Sequence, residues 1–405
     1  MLNAVELFAG AGGLAMGASL AGFAPKAVVE WDRWAGDTIR ENAARNFPLV
    51  AGWPLHEGDV RDFDFEGIED TIDLVAGGPP CQPFSLGGRH RAQEDARDMF
   101  PTMADVVRRL RPKAFIIENV RGLTRASFAN YFQYILLRLS SPEVVRGGNE
   151  DIVGHLSRLE KIKTSGKRSG LCYDIVHRVI NAADHGVPQK RERVFIVGFR
   201  GDLGIEWSFP DATHAHDALL EGQWVTGDYW ERHRIARKNR PEPPSNLQRR
   251  IKNLCETNER PSVTSKPWRT VRDALIDIPD PRECVGQFHN HRFQSGAKRY
   301  PGHTGSPLDL PSKTLKAGVH GVPGGENMMV MDDGNVRYFT AREAARLQTF
   351  PDGYVFHGAW SETMRQLGNA VPVRLAHVVA SSIAERLVSE DERDRKRTMR
   401  GRCEA

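Results

Sequence analysis

Through its first two hundred residues this chain alternates short apolar runs of strand length with stretches of helical period, and no other feature limits its fold so strongly. Residues 4–8, 26–30, 73–76, 114–118, 173–181 and 193–199 read as strands. Helical patterns lie between them, ending at Ser19 and covering about 34–46 and 102–110. Repeated β-α-β units predict an α/β fold with a mostly parallel, doubly wound sheet. Such a sheet gathers its chemistry at the C-terminal ends of neighbouring strands.

Two of these strand ends carry special sequences. The first strand runs into Glu6-Leu-Phe8-Ala-Gly10-Ala-Gly12-Gly13, a glycine turn of the kind that lets backbone approach a nucleotide closely. Glu30 follows Gly10 by twenty residues at the end of the next strand, where a carboxylate accepts ribose hydroxyls. Phe8 and Trp31 offer faces for an adenine ring. A dehydrogenase has the same two features, so by themselves they point only to an adenosine-containing cofactor. The third strand runs into Gly77-Gly-Pro-Pro-Cys81-Gln82-Pro-Phe-Ser85, whose prolines fix the backbone around a cysteine. Glu118 ends the following strand, so Cys81 and Glu118 are expected to converge although 37 positions separate them. Arg191 and Arg193 bracket Glu192 on an extended segment, where i and i+2 share a side and suit a clamp on acidic groups.

The five cysteines (81, 172, 255, 284 and 403) form no CxxC pair, which argues against a zinc site or a disulfide framework and for a reduced, cytoplasmic setting. No metal is expected. The start, MLNAVELFAG, lacks the marks of a secretory signal, and no run reaches the length of a membrane span. The chain carries +4 overall, yet residues 232–320 hold 18 Lys and Arg against 8 Asp and Glu. A basic segment within a nearly neutral chain suits a polyanion. Its clusters include Arg237, Lys238 and Arg240. The strand–helix alternation stops after Arg200 and a helical pattern returns from Tyr338, with Thr340 and Glu343 spaced as a capping box. The expected domains are therefore 1–200, an irregular, β-rich domain at 201–336, and a return to the first domain over 337–405. Residues 141–170 read as a surface insertion, helical around 152–163, and 389–405 as a frayed end.

The ordered series ELFAGAGG (6–13), VVEWD (28–32), GDV (58–60), GGPPCQPFS (77–85), IIENV (116–120), QKRERVFIVG (189–198), RYFTAREAARLQTFPDGY (337–354) and LGNAVP (367–372) resembles the full motif set of the DNA (cytosine-5)-methyltransferases. The resemblance covers roughly 1–200 and 337–385. Met99 stands where the family usually has leucine. The resemblance implies S-adenosyl-L-methionine as cofactor, contacted by Phe8, Gly10, Gly12, Gly13, Glu30, Trp31, Asp59, Asn369 and Val371. It makes Cys81 the nucleophile, with Glu118 and Arg193 on the flipped cytosine and Arg191 supporting the DNA-facing end. Gln82, Ser85, Arg237, Lys238, Arg240, Thr314 and Leu315 are expected at the DNA, with the base-reading loops at 314–320. The implied protein is a monomeric modification enzyme acting on duplex DNA, paired in function with a restriction endonuclease without a stable complex. A tRNA methyltransferase of the same motif order is the nearest rival reading. A non-catalytic nucleic-acid-binding module and a dinucleotide oxidoreductase are others, though the oxidoreductase leaves the Pro-Cys-Gln and QKRER segments unexplained.

Overall fold

The structure is a computed structural model that describes residues 1–80, 98–166, 170–256, 265–284, 286–318 and 327–403, with side chains as far as residue 393. The chain divides into two compact units, residues 1–180, 192–210 and 376–405 in the first and 181–191 and 211–375 in the second.

Among the described residues, the first unit is built on seven strands: β1 (Leu2–Leu7), β2 (Phe23–Glu30), β3 (Leu55–Glu57), β4 (Leu74–Gly77), β5 (Ala114–Val120), β6 (Tyr173–Asn181) and β7 (Glu192–Arg200). They stand in the order β3-β2-β1-β4-β5-β7-β6. The pairs from β3 through β5 are parallel, and β7 runs antiparallel to β5. The order reverses between β1 and β4, and ligands bind outside the strand ends at such a switch point. The glycine turn leaves β1 there, and Gly78, Pro79 and Pro80 follow β4.

Helices α1 (Gly13–Leu20), α2 (Arg33–Ala44), α3 (Phe100–Leu110), α4 (Ala129–Ser140) and α5 (Ile152–Thr164) belong to this unit. One sheet face is apolar: Val5, Leu7, Val29, Val75, Ile117, Val194 and Ile196 join a core with residues of α3 and α4. By alternation the other face carries Glu6, Glu30 and Glu118, each under a tenth exposed. The expected insertion is docked through His155, which is fully buried: its Nδ1 lies 2.9 Å from the Tyr134 hydroxyl and its Nε2 2.8 Å from the Val144 carbonyl.

In the second unit β8 (His214–Ala215), β9 (Lys266–Pro267), β10 (Ser306–Pro307), β11 (Met328–Val330) and β12 (Val336–Tyr338) are only two or three residues long. Short helices lie among them: α6 (His216–Leu220), α7 (Asp228–Arg232), α8 (Gln248–Glu256), α9 (Val271–Ala274), α10 (Ala341–Leu347) and α11 (Trp360–Asn369). The expected capping box opens α10, with the Thr340 hydroxyl accepting from Glu343 N–H and the Glu343 carboxylate from Thr340 N–H. Residues 337–375 fall in this second unit and not with the first, as the sequence had suggested. The reason is local bonding: Arg342, fully buried, donates to the carbonyls of His289, Pro351 and Tyr354, and His291 meets the Thr340 hydroxyl at 2.9 Å. Finally α12 (Val373–Cys403) runs well past the expected end at 388, so 389–403 is helical where fraying was expected.

Candidate active site

The glycine turn has the backbone the sequence requires. Gly10 and Gly12 have φ of 55° and 84°, the left-handed region that favours glycine. A Cβ on Gly12 would meet the Trp53 ring at 2.9 Å, while the space beside Gly10 is open. Glu30 braces the turn from behind: its Oε2 accepts from Gly10 N–H and its Oε1 from Asp32 N–H, both at 2.6 Å. Burial pushes its pKa up, opposed by those two N–H groups. Each carboxylate oxygen keeps a second lone pair for a ligand hydroxyl. No side chain caps α1 at Gly12, which leaves that helix start fit for an anionic group. Trp31, 68% exposed, stands directly after Glu30. Asp59 is engaged by Arg61, whose guanidinium and N–H hold its pKa below the usual carboxylate range. These residues fit an adenosyl ligand with a free amino-acid end. Asn369 and Val371, expected with them, belong to the second unit.

The second strand end holds a buried ion pair. Glu118 is 7% exposed, and the Nε of Arg193 lies 2.9 Å from its Oε1. The register explains the pair: Val120 faces Arg193 and Glu118 faces Phe195, so the two side chains meet on a diagonal. Burial pushes the Arg193 pKa down, and Glu118 pulls it back up. Gly78 makes room for the carboxylate, since a Cβ there would lie 3.3 Å from Glu118 Oε2. Cys81, Gln82 and Ser85 lie outside the described residues. The chain on both sides of them is fixed: Asn119 Nδ2 donates to the Pro79 carbonyl at 2.9 Å, and Met99 N–H reaches the Pro80 carbonyl at 3.5 Å. Sequence reasoning did not single out Asn119, Gly78, Trp53 or Glu6. The first three could have been found by asking what holds each strand-end turn in place.

Arg191 does not join Arg193 in a clamp. It precedes β7, so strand alternation does not apply to it. It is fully buried in the second unit, where it donates to the carbonyls of Leu315 (3.1 Å), Gly368 (2.8 Å) and Ala370 (2.8 Å). The neighbouring residues pair with the same segment: Gln189 Oε1 accepts from Leu315 N–H at 3.1 Å, and the Thr314 hydroxyl donates to the Lys190 carbonyl at 2.7 Å. Leu315 is 1% exposed, so its side chain is a packing anchor and Thr314 is the partly exposed member of the pair. Arg237 and Lys238 are exposed on a short 3-10 turn, while Arg240 turns inward, its Nε 3.3 Å from the Ile235 carbonyl. Of the expected 314–320 loop, residues 319 and 320 lie outside the described residues. Among the described residues, no group of three or more His, Cys, Asp or Glu is placed to hold a metal ion, and no helix is long and apolar enough to cross a membrane.

A carboxylate-braced glycine turn on one strand and a Glu/Arg pair on another, flanking a topological switch point, fit a methyltransferase that binds S-adenosyl-L-methionine. The chain belongs to the C-5 cytosine-specific DNA methylase family, whose sequence pattern matches residues 2–142 and 153–385 and omits ten residues of the 141–170 insertion. It is similar to the Type II methyltransferase M.Eco47II of Escherichia coli, 31% identical over 395 residues, covering 95% of this chain and 79% of that one. It is also similar to the Type II methyltransferase M.PspPI of a Psychrobacter species, at 30% identity over 393 residues and the same coverage. The fold matches the crystal structure of the S. pombe Dnmt2 methyltransferase with a TM-score of 0.54 at 17% identity, over 96% of this chain and 99% of that one. The chain is thus a DNA (cytosine-5)-methyltransferase using S-adenosyl-L-methionine.

Proposed function

We propose that this enzyme is the modification methyltransferase of a type II restriction system, acting as a monomer in the cytoplasm on one duplex sequence. The observation that carries the assignment of roles is the buried pair of Glu118 and Arg193, next in the sheet to the strand that leads through Pro79 and Pro80 into Cys81. Carbon 5 of cytosine is a weak nucleophile. A Cys81 thiolate adding to carbon 6 turns the ring into an enamine whose carbon 5 is electron-rich. Glu118 faces ring N3 and the exocyclic amine, and it holds the proton that balances charge on the ring. Arg193 orients Glu118 and adds positive charge near the carbonyl of the base. S-adenosyl-L-methionine, when bound, would supply the electrophilic methyl group, and Glu30, Trp31, Phe8 and Asp59 would hold its adenosyl part. A water molecule then takes the carbon-5 proton as the bond from carbon 6 to Cys81 breaks, which restores the thiolate and releases the product.

The base must leave the helical stack for this chemistry, at a cost of a few kcal/mol. Arg237 and Lys238 contribute phosphate contacts toward that cost, and Thr314 lies on a base-facing segment held by Gln189 and Arg191. The relatives named Type II methyltransferases support the restriction context. The test is covalent trapping. Duplex DNA carrying 5-fluorocytosine should become bound to the wild-type enzyme in the presence of cofactor and not to Cys81→Ser. Bisulfite sequencing of DNA from cells expressing the chain should reveal one methylated sequence. Trapping of tRNA in place of DNA would overturn the substrate assignment.

A further inference from the structure

Residues 286–318 of the second unit hold five basic side chains (Arg292, Lys298, Arg299, Lys313 and Lys316) and one acidic residue, Asp309. Asp309 is already paired with Arg272 at 2.6 Å, so the segment presents nearly all of its positive charge. Within it Tyr300 and His303 form a two-residue hairpin. Tyr300 N–H donates to the His303 carbonyl at 3.3 Å and His303 N–H to the Tyr300 carbonyl at 2.8 Å. Pro301 and Gly302, with φ of 82° at the glycine, are the residues that a type II turn needs at its two central positions. A Cβ on Gly302 would touch nothing within 4 Å, so the turn projects outward. The two rings it carries lie 4.2 Å apart, and Tyr300 is 49% exposed. Lys298 and Arg299 immediately before it are exposed.

The turn is tied to the segment that bears Thr314. Lys313 Nζ donates to the Thr304 hydroxyl at 2.7 Å, and Lys313 N–H donates to the Ser306 hydroxyl at 3.0 Å. A proline-fixed turn is ordered before any partner arrives, so its aromatic pair makes contact at little further entropic cost. Aromatic faces suit bases, and basic side chains beside them suit phosphates. The charge and the continuity with Thr314 both select duplex DNA as the occupant.

We propose that the 300–303 turn is a base-contacting element of this enzyme. Tyr300 and His303 meet base edges in a groove of the target duplex, and Lys298 and Arg299 take the flanking phosphates. This rests on the reading that the second unit recognises DNA.

The experiment compares the wild type, Tyr300→Ala combined with His303→Ala, and Lys298→Gln combined with Arg299→Gln. Each is given a duplex library randomised around the methylated sequence, read by bisulfite sequencing, and each is titrated for DNA binding against salt. The aromatic variant should relax discrimination at one or more positions by roughly tenfold, with the salt slope unchanged. The lysine and arginine variant should keep the sequence preference while the log–log salt slope falls by up to about 1.8, at about 0.9 per lost phosphate contact. Tyr300→Phe, which keeps the ring, should retain the preference, and unchanged melting temperatures should confirm that the exposed variants fold. An aromatic variant with wild-type preference overturns the proposal, including the case where affinity falls equally for all sequences. If the wild type itself methylates no DNA, the underlying reading fails, and that outcome is distinct from the failure of the turn alone.

Discussion

Arg193 reaches across from β7 to place its Nε 2.9 Å from Oε1 of Glu118 on β5, and both side chains are largely shut off from solvent. The ion pair fixes the carboxylate at the strand end. A buried pair of this kind stabilises little by itself, but breaking it by removing one partner costs about 3–5 kcal/mol. The geometry therefore serves orientation more than stability.

Glu118→Gln keeps the shape beside Gly78 but removes the carboxylate that pairs with Arg193 and that is proposed to share a proton with the ring. Methyl transfer in a single turnover should slow by on the order of 10²-fold or more, the range of acid–base groups. Affinity for the cofactor, measured by calorimetry, should change little. Weak cofactor binding with normal transfer would place Glu118 in the other half of the site.

Asn119→Ala removes the donor to the Pro79 carbonyl, two residues before Cys81. The lost hydrogen bond should lower stability by about 1 kcal/mol. The larger effect should be kinetic, because a nucleophile misplaced by an ångström can cost on the order of 10²-fold in rate. Covalent trapping by 5-fluorocytosine DNA should slow while cofactor affinity stays the same. Trapping at the wild-type rate would show that the Pro79 tie does not position Cys81.

Most of the sheet was legible because its strands are apolar runs that end in turn residues. The strands β1, β2, β4, β5, β6 and β7 lie where the patterns put them, within three residues at each end. The three-residue β3 was missed, since Leu55-His-Glu57 is too short and too polar to signal a strand. Helix α4 was missed for a different reason: Tyr131, Phe132, Tyr134, Ile135, Leu137 and Leu139 bury it on more than one side, which blurs the helical period. The second unit was least legible, because its order comes from long-range bonds such as Arg342 to three carbonyls. The strand-end places of Glu30 and Glu118 could be read from the apolar runs before them, but the pairing of Glu118 with Arg193 could not, because it depends on the register of β7 against β5. The separate duties of Arg191 and Arg193 could not, because the spacing of two residues crosses from an irregular segment into β7.

Glu6 lies in β1 at 2% exposure, and burial pushes its pKa well up. With a folded pKa above the unfolded value of about 4.3, its contribution to stability is fully present below that value and is lost as pH rises through the folded pKa. Glu6→Gln mimics the neutral acid at every pH. The variant should match the wild type in melting temperature near pH 4 and exceed it at pH 8. A wild type that melts higher at pH 8 would mean that Glu6 is charged and paired in the folded protein.

His214 offers the opposite pH signature. It is 7% exposed, and burial together with the nearby charges of Arg374, Lys266 and Arg269 pushes its pKa down to about 4. The unfolded chain takes up a proton near pH 6.5 while the folded chain does not, so stability from this residue is complete above 6.5 and declines as pH falls toward 4. His214→Gln removes the titration, and its melting temperature should depend less on pH across that window than that of the wild type. Equal slopes would exclude His214 as the source.

Arg191 ties together two segments of the second unit. Its guanidinium satisfies the carbonyls of Leu315, Gly368 and Ala370 at once, and it is fully buried. Gly368 packs so closely there that a Cβ would come within 2.2 Å of the Ala317 nitrogen, so the 315–317 segment cannot move without moving the 368–370 turn. Arg191→Lys keeps the charge but has a single ammonium, without the fork that serves separated acceptors. At least one carbonyl is then left unpaired, at about 1–3 kcal/mol. The melting temperature should fall, and because Thr314 rides on the loosened segment, methylation of sequences one base removed from the preferred site should rise relative to the preferred site. Thr314→Val, which removes only the hydroxyl bond to the Lys190 carbonyl, should reproduce part of the selectivity change with little loss of stability. If Arg191→Lys lowers stability while the ratio of preferred to near-preferred methylation stays at the wild-type value, Arg191 supports the fold alone and does not set the recognition segment.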